Sequence, residues 1–165
     1  MKRNIFMAAS SEGFWWKSLQ PGDMLEMAFI LSKKALPVWN NFDLFDEIKL
    51  ELKSLPEKTL KEIETVLELG YSFEHKLNEH FSAFITPVIQ IKDGNLKLPF
   101  EVKQAFFSVF HILKGMLATK NEVAVKDDFS SSIKNSIDAI RIAKVLTRDE
   151  IFLITNKYYQ LSMQG

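Results

Sequence analysis

Residues 99–118 read PFEVKQAFFSVFHILKGMLA. Val102, Phe106, Val109, Leu113 and Met116 follow one another at spacings of 4, 3, 4 and 3, which is the period of one face of an α-helix. Pro99 suits the entry to that helix, since a proline at the first turn gives up no intrahelical hydrogen bond. This stretch predicts a long, well-buried helix and sets a helical fold as the working expectation.

The residues just before it are the one challenge to that expectation. VIQIKDGNLKLP (88–99) alternates like a small β-hairpin. With Asp93-Gly94 as a two-residue turn, Ile91 faces Leu96 and Ile89 faces Leu98, all on one side. The alternative is a helix that continues to about Gln90 and then a loop. Both readings of 88–98 stand at this point.

Outward in both directions the period stays helical. Ser11 can cap a short helix bearing Phe14, Trp15, Trp16 and Leu19, which stops at Gln20-Pro21-Gly22. Asp23 and Glu26 have capping-box spacing and open a helix to Leu36, apolar on most sides and therefore central. Pro37 ends or kinks it. Asp43 can cap a helix with Phe45, Ile48, Leu52 and Leu55. Pro56 starts another, with Leu60, Ile63, Val66 and Leu67, and Gly70 is a natural stop. A helix over about 72–86 is expected to bury Phe73, Leu77, Phe81, Phe84 and Ile85. Residues 119–128 read as a polar connection, with Asp128 capping a helix through Ile133, Ile137 and Ile140. Thr147 and Glu150 form a second capping-box pattern before a last helix. The expected fold class is all-α: a single-domain bundle of seven or eight helices over 11–165, behind a flexible tail at 1–10.

Composition narrows the function. There are 165 residues, 47% hydrophobic and 25% charged, as in a globular domain. The absence of cysteine excludes disulfides, thiol catalysis and Cys-ligated metal. The apolar run Ile5–Ala9 is too short for a secretory segment, and nothing approaches the roughly 20 apolar residues of a membrane span. The expected location is the cytoplasm. Lys plus Arg equals Asp plus Glu at 21 each, which argues against nucleic acid as a partner. The spread is uneven: residues 43–79 hold 5 basic and 10 acidic side chains, the acidic block of a neutral chain.

FEHKLNEHF (73–81) looks most like chemistry, with two of the three histidines. Metal-binding helices place two histidines four apart. His75 and His80 are five apart, and at about 100° per residue they diverge by roughly 140°. His75 and Glu79 share the solvent side, and His80 falls beside the apolar stripe. His111 sits in an apolar helix, half-buried with one nitrogen bonded. A catalytic site would require His80 and His111 to converge. No serine triad, phosphate-cradling loop or dinucleotide motif is present. No cofactor or metal is expected. Phe14-Trp15-Trp16 is either a binding patch or, more simply, packs on the second helix, the one opened by Asp23. The last two helices carry Lys134, Arg141, Lys144 and Arg148, but acidic residues lie among them, so no basic recognition helix for a transcription regulator stands out.

The acidic block gives the sharpest expectation. Asp43, Glu47 and Glu51 lie four apart on one helix face, and Glu57, Glu64 and Glu68 share a face of the next with Lys61. The plain alternative is a solvated surface. The functional reading is a docking face for a basic protein. The expected function is non-catalytic protein binding, of the kind shown by a bacterial immunity or inhibitor protein that neutralises a basic nuclease toxin.

Overall fold

The structure, a computed structural model, describes residues 14–43, 50–70, 75–118 and 121–164. Among these there are six α-helices and no strand: α1 Pro21–Asn40, α2 Leu50–Leu69, α3 His75–Lys92, α4 Phe100–Leu117, α5 Glu122–Ile142 and α6 Arg148–Ser162. A 3₁₀ turn, Trp15–Ser18, precedes them. The tail expected at 1–10 lies outside the described residues.

α1, α4 and α5 form the centre, each packed on the other two. α2 and α3 lie together against the α1–α4 side, and α6 closes the other side with the 3₁₀ turn. The Val102–Met116 stripe is buried, as its spacing predicts. Small side chains let the central helices approach. Ser32, Ser108, Ser132 and Ser136 are buried where the three meet, and each hydroxyl is partnered. Ser32 Oγ meets Ser132 Oγ at 3.3 Å and Ser136 Oγ at 3.1 Å. Ser108 donates to the Ala105 carbonyl, Ser132 to Ser108 and Ser136 to Ser132. Unpartnered, each would carry a desolvation cost of about 1–3 kcal/mol.

The hairpin reading of 88–98 is overturned. α3 runs through to Lys92, and Gly94 follows at φ +79, a left-handed conformation that glycine adopts without strain. The Leu96 N–H bonds back to the Gln90 carbonyl, so Asp93-Gly94 ends a helix instead of turning a hairpin. The helical period decides the outcome because Phe84, Val88 and Ile91 all reach the core, leaving Ile89 outside at 52% exposure.

The expected seven or eight helices become six for two reasons. Pro56 starts no new helix but lies inside α2, and residues 14–19 hold only a 3₁₀ turn. Pro37 and Pro87 likewise sit inside α1 and α3. An interior proline forfeits a hydrogen bond and costs about 3 kcal/mol. Apolar side chains beyond each one offset this: Val38 and Trp39 after Pro37, Leu60 and Ile63 after Pro56, Val88 and Ile91 after Pro87 are all buried.

Helix ends follow local chemistry. The Thr147–Glu150 capping box is present, each side chain bonding the other's backbone N–H. Gly70 closes α2 at φ +98. The α5 start differs from expectation. Asn121 accepts from the N–H groups of Val123 and Ala124, so the helix begins at Glu122 and Asp128 lies within it. α1 begins at Pro21, two residues before the expected Asp23. Glu26 ties α1 to α6 instead of capping: it accepts from Tyr158 Oη at 2.7 Å and from Lys157 Nζ at 3.0 Å. Those two donors hold its carboxyl below the usual range. Burial, then the Glu26 bond, pushes the Tyr158 phenol up.

Candidate functional site

The three histidines have different surroundings. His75 is exposed at the start of α3, with Glu79 exposed one turn on. His80 is half-buried, its Nδ1 2.9 Å from Oγ1 of the fully buried Thr59 on α2. Burial pushes this imidazole below its ordinary pKa, against the smaller pull of Glu62 and Glu79. The neutral ring is therefore favoured in the folded chain. The unfolded chain takes up that proton near pH 6.5 and the folded chain only at lower pH, so this group makes stability fall as pH drops through about 6.5. Urea unfolding between about pH 7.5 and 5.5 should show a shallower decline in His80→Gln than in wild type. Equal slopes would remove His80 from the acid response.

His111 lies on α4 and faces α5. Its Nδ1–H donates to Asp128 Oδ1 at 3.1 Å, and Lys114 Nζ stands 3.9 Å from the same oxygen. The carboxylate can only accept, so Nδ1 carries the proton. The His111 and Asp128 side chains are 23% and 13% exposed, and Lys114 is 51% exposed. Phe81 of α3 stacks on Phe110 of α4 at 5.7 Å, which puts His80 and His111 at one level of the bundle. Their rings nevertheless turn to different neighbours, α2 for His80 and α5 for His111. Among the described residues, no group of three or more His, Asp or Glu side chains could hold a metal ion.

The acidic positions are partly assembled. Glu47 lies outside the described residues. Asp43 is exposed just after α1. On α2, Glu57 and Glu68 are exposed, and Glu64 is half-exposed on the same side, away from the buried stripe of Leu60, Ile63 and Val66. Glu51 is exposed in the first turn, where a negative charge suits the helix dipole. Glu64 pairs with Lys33 of α1 at 3.3 Å. No described cation lies within ion-pair distance of Glu51, Glu57 or Glu68. Lys58 and Lys61 are exposed on the same helix and dilute the face.

The aromatic patch is packed, but chiefly on α5 and α6 instead of on α1, the helix expected from the sequence. Trp16 is 2% exposed and donates from Nε1 to Ser130 Oγ of α5 at 2.9 Å. Phe14 stacks on it at 4.4 Å, and Trp15 meets Tyr159 of α6 edge-on at 5.2 Å. Sequence reasoning misses Asp128, because it assigns the residue to a helix cap. The available signal is Asn121 seven residues upstream, a better cap that places Asp128 on the inner side of α5.

No family model matches the chain, and no curated protein or solved structure is significantly similar to it. No helix among the described residues is long and apolar enough to cross a membrane.

Proposed function

We propose that this chain is a binding protein that presents the outer face of α2 to a basic protein partner. The observation that supports this is the set of exposed carboxylates Glu51, Glu57 and Glu68, which take no ion pair among the described residues. Glu51 suits the dipole at the start of α2, but Glu57 and Glu68 stabilise nothing that the described structure shows. Charge complementarity at such a face speeds encounter and sets specificity. The exposed Asp43 and the half-exposed Glu64 add to the same charge. Within this class, the finer reading is an inhibitor of a basic toxin such as a nuclease, located in the cytoplasm.

The test is affinity capture with wild type and with the triple reversal Glu57→Lys, Glu64→Lys, Glu68→Lys in parallel. Wild type should retain a basic protein, and the reversed chain should bind that protein at least about tenfold more weakly. Binding should also weaken with salt. Retention unchanged by the reversals sinks the acidic-face reading. The finer reading requires the captured protein to arrest growth when expressed alone and to be harmless beside this chain.

A further inference from the structure

The His111–Asp128–Lys114 seam has no part in the α2 face, and its chemistry is specific. Asp128 fixes the Nδ1–H tautomer of His111, which leaves the lone pair on Nε2. No described residue bonds Nε2, and the ring is partly exposed. A carboxylate behind an imidazole raises the nucleophilicity of the far nitrogen, because it stabilises the positive charge that develops on the ring. Lys114 lies three residues on, on the same side of α4. At 3.9 Å from Asp128 its ammonium is attracted but not hydrogen-bonded, and half of its side chain is exposed, so its donors are not committed to the carboxylate. Gly115 lets α5 come close: a Cβ there would fall 3.2 Å from Asp128 Cβ.

We propose that Nε2 of His111 is a phosphoryl-accepting nucleophile, with Lys114 binding the phosphoryl oxygens and Asp128 as the positioning residue. The donor class is an acyl phosphate. The Nε2 lone pair attacks phosphorus, the Nε2–P bond forms, and the P–O bond to the acyl group breaks. The carboxylate leaves with that electron pair. The ring keeps its Nδ1 proton, and its positive charge rests against Asp128 until the proton is lost to solvent. No metal or redox partner enters the balance. A nucleophile at a surface seam suits this transfer, since the donor can approach from outside.

The test is incubation of the full chain with acetyl phosphate, followed by intact-mass analysis and fragment mapping at neutral pH. The expected result is one added phosphoryl group on His111, labile to acid and stable to alkali. His111→Gln should lose it, and His75→Gln and His80→Gln should keep it. Asp128→Asn should slow uptake on the order of tenfold, the scale on which a bonded carboxylate tunes an imidazole. It should also shift the ¹⁵N signature of the ring away from the Nδ1–H tautomer, which a merely structural role would not do. Lys114→Ala should slow uptake with the tautomer unchanged. Mapping on wild type keeps the test sound even if a variant folds poorly. No uptake by wild type, or phosphate mapped to any other residue, overturns the proposal.

Discussion

Trp39→Ala should lower stability by about 3–5 kcal/mol, the range for deleting a fully buried large aromatic side chain. Trp39 is 0% exposed near the end of α1. Its ring centroid is 4.9 Å from that of Phe106 on α4, and Phe106 is 4.9 Å from Phe84 on α3. Its Nε1–H donates to the Lys53 carbonyl of α2 at 2.9 Å. Lys53 returns the bond: its ammonium donates to the carbonyls of Trp39 at 2.9 Å and Phe42 at 2.7 Å. α1 has no basic residue in its last turn, so Lys53 supplies from α2 the positive charge that a helix C-terminus favours. Burial lowers the pKa of this ammonium. Removing the indole opens a cavity between three helices and leaves a carbonyl without its donor. Trp39→Phe should keep most of the packing and lose only about 1–2 kcal/mol through the missing N–H. Urea titration of both variants checks this, and a Trp39→Ala loss under about 1 kcal/mol would show that α2 is not anchored here.

Gly115→Val should cost about 2–3 kcal/mol through overpacking. A Cβ at this position would stand 2.6 Å and 2.8 Å from two ring carbons of Phe129 and 3.2 Å from Asp128 Cβ. Phe129 is 3% exposed and cannot swing into solvent, so α5 must move away from α4. The same displacement draws Asp128 from His111. Stability and phosphoryl uptake should therefore fall together, while Phe129→Ala in the same chain should restore part of the stability by making room. A melting curve and intact mass after acetyl phosphate treatment report the two effects. Unchanged melting would mean that the helices close without the glycine.

The Val102–Met116 stripe, the Thr147–Glu150 capping box and the Gly70 stop are all legible in the sequence, because each depends on residues within about two turns of one another. The exposed faces of α2 follow from the same period, and so does the separation of His75 from His80. Pro37 and Pro56 mislead in different degrees. A proline signals a break locally, and only the burial of the residues beyond it shows whether the helix continues. Asp93-Gly94 is ambiguous for the same reason: one dipeptide serves a hairpin turn or a helix end, and which apolar residues find a core decides between them.

The all-helical class, the buried stripes and the placing of the acidic residues on solvent faces are properties of the chain read alone, since helical periodicity sorts side chains before any helix meets another. Which side chains meet across helices is a property of the folded molecule. His80 with Thr59, His111 with Asp128 and Lys53 with the end of α1 are 21, 17 and 11–14 residues apart. Such pairs depend on how helices are docked, and no local pattern encodes the docking. The candidate nucleophile is visible in the sequence as a lone histidine in an apolar helix. The carboxylate that orients it arrives only when α5 packs on α4.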